Sequence, residues 1–173
     1  MDAMSQASPL VSNLPASERA GQFTQLPQVD SAAAFGLRVS RQFAQCRRKG
    51  EQLALLWLQV ELKMRPDTSL SPAEADHLMQ TVSLRLRNRV RGADEVVHMG
   101  EQCFAVLLAA AGTAEAGLVE QRLRQALRGA YGVDGRLMQV GVRLGTAVYP
   151  QAGRNGAELA EAARANLPEA AAD

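Results

Sequence analysis

Apolar and polar positions along the chain alternate between helical and extended patterns. From Ala32 to Lys49, Phe35, Val39 and Phe43 recur every four residues and share one face, which predicts a helix. Gly50 stops it, after Arg47, Arg48 and Lys49 in a last turn where cations suit the helix dipole. Leu53 to Leu58 is an unbroken apolar run, the pattern of a strand buried on both faces. A loop with Pro66 and Ser69 to Pro72 follows. Ser71 then reads as an N-cap, Pro72 as a first-turn residue and Glu74 as the second half of a capping box. Leu78, Val82, Leu86 and Val90 line the buried face of the helix so started.

Residues 95–108 read as a hairpin: a short strand, a tight turn at Met99 to Gln102, then the apolar strand that includes Phe104-Ala105-Val106-Leu107-Leu108. A third helix spans Glu115 to Arg128, with Leu118, Arg122 and Leu123 in its middle. Asp134-Gly135 is a hairpin turn signal. Leu137 to Tyr149 then alternates, with Met138, Val140, Val142, Leu144 and Val148 on one face. Tyr149-Pro150 ends that strand, and Ala157 to Leu167 is a final helix. The pattern makes this an α/β (α+β) domain, a central sheet with helices packed on it, without internal repeats. The Ser-, Gln-, Pro- and Ala-rich start reads as a flexible N-terminal tail over residues 1–22, with the domain at 23–173.

Composition narrows the function. Hydrophobic residues are 47% and aromatics 4%, so the core is aliphatic. A formal net charge of +1 gives no global reason to expect nucleic acid or an anionic membrane. Of the 19 basic residues only Lys49 and Lys63 are lysines, which leaves a surface of planar, forked donors. Cys46 and Cys103 make no disulfide framework, and His77 and His98 make no His-rich metal site. No basic-then-apolar leader opens the chain, and no apolar run approaches the roughly 20 residues needed to span a bilayer. A cytoplasmic protein with no resident cofactor or metal is expected.

The stretch Arg91-Gly92-Ala93-Asp94, five further residues, then Gly100-Glu101-Gln102-Cys103-Phe104 resembles the Arg-x-x-Asp and Gly-Gly-Asp-Glu-Phe layout of the GGDEF (diguanylate cyclase) family. Other pieces fall in family order. Phe23-Thr24-Gln25-Leu26-Pro27 is similar to the opening Leu-Thr-Gly-Leu-Pro, and Leu53 to Leu58 to the first central strand. Arg122-Leu123-Arg124 matches the helix after the motif, and Val140 to Pro150 the late strand. The resemblance covers about residues 23 to 171 and implies a mostly antiparallel five-stranded sheet.

It also implies what is missing. Family members hold divalent metal at a triphosphate with carboxylates at the end of the first strand and in the motif turn. Here the strand position is Gln59, and the third and fourth motif positions are Gln102 and Cys103. Glu101 replaces the second glycine, Ala171 falls where a lysine contacts phosphates, and Pro168 replaces a tyrosine. Asp67 and Asp76 sit where the family reads the guanine edge; on the residues alone Asp76 is equally a solvated helix residue. Gln59, Asp67, Asp76, Gly100, Glu101, Gln102 and Cys103 are thus expected to be a vestigial active site, and the chain not to be an active cyclase.

Arg91 and Asp94, with Arg122 as a second arginine, resemble the family's site for its product, cyclic di-GMP. An arginine fork matches guanine O6 and N7 or clamps phosphate, and an aspartate accepts from guanine N1 and N2. A bland reading stands beside it: Arg91 suits a helix end, and Asp94 caps the turn or pairs with Arg91. The expected function is a cyclic di-GMP receptor or regulatory module, alone or as a ligand-bridged homodimer or with a protein partner. The alternative is an interaction scaffold that binds no nucleotide. His98, Cys103 and Trp57 read most simply as strand or core residues.

Overall fold

The computed structural model describes residues 26–63 and 69–169. The tail at 1–22, the Phe23 to Gln25 part of the opening motif, Pro66, Asp67 and Ala171 lie outside the described residues.

Ser31 starts the first helix, its side chain accepting from the Ala34 N–H at 3.0 Å. The single helix expected over 32–49 is two, α1 (Ala32–Arg38) and α2 (Ser40–Lys49), because Val39 leaves helical geometry at φ −101°, ψ 11°. The Ser40 hydroxyl donates to the Leu37 carbonyl at 3.0 Å across the break, a local bond that competes with the helix ladder. The predicted face survives, since Phe35, Val39 and Phe43 are all buried. Gly50 ends α2 in the left-handed region, φ 65°, as its lack of a side chain permits.

Strand β1 (Leu53–Lys63) runs five residues past the apolar stretch. The extension follows from its partner: β5 (Arg136–Tyr149) pairs with β1 along its full length, from Leu53 opposite Tyr149 to Lys63 opposite Gln139. Helix α3 (Pro72–Arg87) begins with the predicted capping box, Ser71 Oγ accepting from the Glu74 N–H at 3.1 Å and Glu74 Oε1 from the Ser71 N–H at 3.0 Å. Val90 lies beyond the end of α3, half-buried against the core. β2 (Glu95–His98) and β3 (Cys103–Leu108) form the hairpin. Helix α4 (Thr113–Leu127) leads to β4 (Gly129–Val133), which turns into β5 through Asp134 and Gly135 at φ 48° and 82°. Helix α5 (Gly156–Ala165) follows, capped by Asn155, which accepts from the Glu158 N–H at 2.9 Å.

The five strands lie in the order β2-β3-β1-β5-β4, and every neighbouring pair is antiparallel. One face carries α3 and α4, which bury Leu78, Val82, Leu86, Leu123 and Leu127 against Leu56, Leu58, Phe104 and Val106. The other carries α1, α2 and α5, with Phe35, Phe43, Leu159 and Ala163 against Leu55, Trp57, Ala105 and Ala147. Pro27 and Val29 flank a short parallel bridge to β2: the His98 N–H donates to Pro27 O at 2.9 Å and the Val29 N–H to His98 O at 3.0 Å. No described helix is long and apolar enough to cross a membrane.

Helix α5 approaches β5 at Gly145, where an added Cβ would stand 2.1 Å from the Ala163 carbonyl oxygen and 2.8 Å from the Leu167 nitrogen. Both obstacles are backbone, so neither can rotate away. Gly145→Ala is expected to lower stability by at least about 1–3 kcal/mol, measured as a shift in the urea midpoint. A midpoint equal to wild type would contradict this packing.

Candidate functional site

At the end of the sheet nearest the Met99–Gln102 turn, three side chains form a row across adjacent strands. Gln59 on β1 lies opposite Cys103 on β3 and opposite Arg143 on β5. The Cys103 thiol donates to Gln59 Oε1 at 3.5 Å. Arg143 reaches Glu61 at 3.3 Å and donates to the Pro168 carbonyl at 2.7 Å. Gln59 and Cys103 border a cavity of about 540 Å³ walled also by Trp57, Glu101 and, on α5, Glu161 and Arg164. The Arg164 guanidinium sits 5.9 Å from the centre of the Trp57 ring.

The turn itself is set by backbone conformation. Gly100 and Glu101 have φ of 91° and 48°, and the Met99 N–H donates to Cys103 O at 2.8 Å. His98 braces it from below, its Nε2 2.9 Å from the Glu101 carbonyl and its ring stacked on Phe104. A second cavity, of about 580 Å³, opens on the other face of the sheet and is bordered by Leu62, Asp76, Met79, His98 and Gln102. Asp76 is exposed at its rim rather than buried. The residues expected as a vestigial site are therefore divided by the sheet. Gln59 and Cys103 face one cavity, Asp76 and Gln102 the other, and Glu101 borders both.

The loop after α3 carries the expected ligand grip. Asp94 is buried, and its carboxylate accepts from two backbone N–H groups: Arg91 at 2.9 Å and Ala109 at 3.1 Å. Arg91 donates to the Ala109 carbonyl at 2.8 Å, with its Nε 3.6 Å from Asp94. Ala109, just past β3, is thus held at both its polar groups. The Asp94 side chain is 2% exposed and that of Arg91 64%. Arg122 reaches the same loop from α4, donating to the Arg89 carbonyl at 3.3 Å. The structure joins Arg91 to Asp94 and sets Arg122 against the same loop two residues earlier, at Arg89. It turns the Asp94 carboxylate toward the backbone, as the capping reading anticipates, and away from the solvent side where a guanine edge would present itself.

The family described as "Diguanylate cyclase, GGDEF domain" matches residues 23–173. The chain belongs to the GGDEF family. It is 28% identical over 138 residues to the cyclic di-GMP phosphodiesterase NbdA of Pseudomonas aeruginosa, a match covering 80% of this chain and 18% of NbdA. It is 27% identical over 128 residues to the diguanylate cyclase TpbB of the same organism, covering 73% of this chain and 29% of TpbB. The chain thus spans less than a third of either relative. The crystal structure of the TpbB GGDEF domain superposes with a TM-score of 0.71 at 26% identity, over 82% of this chain and 88% of that one.

Within this GGDEF domain the donors at the metal position do not suit a divalent cation. Hard cations take several oxygen ligands. The row offers a neutral amide whose oxygen already accepts from the thiol, a thiol, and the guanidinium of Arg143 in cross-strand register with that amide. Among the described residues no three His, Cys, Asp or Glu side chains gather as a metal site. Arg143 and Arg164 are site residues that the sequence does not single out, and Trp57, read there as core, also walls the cavity. Arg143 had one signal: it is the single charged residue between Gly141 and Gly145 in an otherwise apolar stretch of β5.

Burial pushes the Cys103 thiol above its ordinary pKa. The Trp57 indole N–H opposes that shift, too loosely placed to count as a formed hydrogen bond. Glu101 adds to the rise, and Arg164 and Arg143 lessen it. Cys103 is therefore expected to react with a disulfide reagent at neutral pH more slowly than an unstructured cysteine, checked by timed absorbance of the released thiolate. Asp94→Ala is expected to cost about 2–3 kcal/mol, since it strands two backbone donors at the end of β3. Chemical denaturation measures this, and a loss below about 0.5 kcal/mol would show those bonds to be dispensable.

Proposed function

We propose that this GGDEF domain does not make cyclic di-GMP but responds to it. In this reading Arg91 and Arg122 contact the dinucleotide, and Asp94 holds the loop that presents Arg91. The observation that carries it is the contrast between the two ends of the β2–β3 hairpin. The turn end offers Gln102 and Cys103, with Gln59 on β1 beside them, where GGDEF cyclases need carboxylates, and Arg143 lies in cross-strand register with Gln59. At the other end Arg91, on the loop before β2, donates to the Ala109 carbonyl, and Arg122 on α4 donates to the Arg89 carbonyl. Exposed guanidinium N–H groups there match guanine O6 and N7 or a phosphodiester. Bound ligand would bridge two copies or alter contact with a protein partner, in the cytoplasm and without nucleic acid or membrane insertion. The names of NbdA and TpbB, a cyclic di-GMP phosphodiesterase and a diguanylate cyclase, support the same signalling context.

A second reading has its own observation. Asp94 and Arg91 already satisfy one another and Ala109, so the loop is complete without a ligand. That suits a scaffold that binds no nucleotide.

Calorimetry with cyclic di-GMP separates the two. The receptor reading expects saturable heat in the micromolar range for wild type, weakened on the order of tenfold or more by Arg91→Ala and by Arg122→Ala. No heat at high micromolar ligand favours the scaffold. Turnover of GTP with magnesium would overturn both.

A further inference from the structure

A groove of about 640 Å³ lies between the C-terminal ends of α3 and α4, on the α3–α4 side of the sheet and away from the turn. Arg85 and Arg89 border it from one side and Arg128 from the other, with the amides of Asn88 and Gln125 between them. No carboxylate lines it. Among the described residues these three arginines make no ion pair, and neither does Arg122 beside them. Some arginines outside the groove do pair with acids, among them Arg38 with Glu95, Arg136 with Glu74 and Arg143 with Glu61; what sets the groove apart is that three guanidinium-bearing side chains line one cleft with no carboxylate.

Helix C-termini favour cations, which explains why arginine is tolerated here. It does not explain why three of them line one acid-free cleft. The Arg85 guanidinium lies 3.8 Å from the centre of the Tyr131 ring. Tyr131 is fully buried, and its hydroxyl donates to the Leu127 carbonyl, so the platform under Arg85 is rigid. Arg122 is tied to the Arg89 carbonyl. A guanidinium has five N–H donors, so each of these contacts leaves others directed outward.

Two of the four large apolar side chains exposed among the described residues stand on the same helices. Leu84 is 50% exposed and adjoins Arg85; Leu118 is 66% exposed, one turn before Arg122. A phosphate backbone would answer the arginines and leave the leucines in water. An anionic membrane would call for basic charge over a broad face rather than around one short cleft. A protein segment with carboxylates beside apolar side chains answers both, and arginine is among the residues enriched at protein interfaces.

We propose that this groove is a docking site for an acidic, amphipathic segment of a protein partner. The inference goes beyond the dinucleotide reading: the side chains of Arg85, Arg89 and Arg128 line the groove, and Arg89 shares only its backbone carbonyl with Arg122 of the grip, so each can fail alone.

The test uses the full chain and fluorescence anisotropy. The probe is a labelled helical peptide with glutamates along one face and leucines beside them. The comparison probes are the same peptide with glutamine for glutamate, an oligothymidylate, and phosphatidylglycerol vesicles. The glutamate peptide is expected to bind saturably. Arg89→Glu with Arg128→Glu, both at exposed positions, is expected to weaken it on the order of tenfold or more. Leu118→Ser is expected to weaken the peptide while leaving oligothymidylate unchanged, and Arg91→Ala to leave the peptide unchanged. The proposal is overturned by absent saturable binding of the glutamate peptide, equal binding of the glutamine peptide, insensitivity to the double reversal, or tighter binding of oligothymidylate or vesicles.

Discussion

Strand β1 is hydrogen-bonded on both edges and buried on both faces, and the rest of the molecule is arranged around that constraint. Its residues 54–59 pair with β3, and its whole length pairs with β5. Alternate side chains then enter separate cores: Leu56, Leu58 and Val60 under α3 and α4, Leu55 and Trp57 under α1, α2 and α5. A strand so enclosed has no freedom of register, because a slip of one residue would exchange the two cores. Whatever sits at its far end is therefore placed with the accuracy of the sheet. That is why Gln59 meets Cys103 on one side and Arg143 on the other.

The chemistry of that row differs from a cation site in charge as well as in ligand count. The Gln59 amide and the Cys103 thiol satisfy each other, and Arg143 is steadied by Glu61 and the Pro168 carbonyl. Burial raises the thiol's pKa further above neutrality. The Met99–Gln102 turn keeps its shape through the backbone at Gly100 and Glu101 and the stacking of His98 on Phe104. The shape of the hairpin there rests on backbone hydrogen bonds and packing rather than on the side chains at its tip.

The loop from Asn88 to Asp94 shows the opposite relation. One carboxylate closes the loop onto the end of β3, and one guanidinium completes the clamp around Ala109. The pair that resembles a ligand grip is thus also what makes the loop rigid. Arginines with no acid partner gather from this loop along the α3–α4 groove, while the chain as a whole is nearly neutral. The asymmetry is local, and a local asymmetry suits a partner of limited size.

Local signals in the chain were sufficient for the elements whose cause is local. Ser71 with Glu74, Gly50, Asp134-Gly135 and the apolar run at Leu53 to Leu58 each act within a few residues, so helix starts, stops, a turn and the central strand were readable, and so was the motif spacing that marks the family. Tertiary structure decided what depends on a distant neighbour. The length of β1 was set by β5, and the break at Val39 accompanies a local Ser40 bond that a period of four residues does not register. The burial of Asp94 required Ala109, fifteen positions away. The division of the expected site between two cavities followed from strand pleating. The arginine groove exists because two helix ends meet, and no single segment of the sequence contains both.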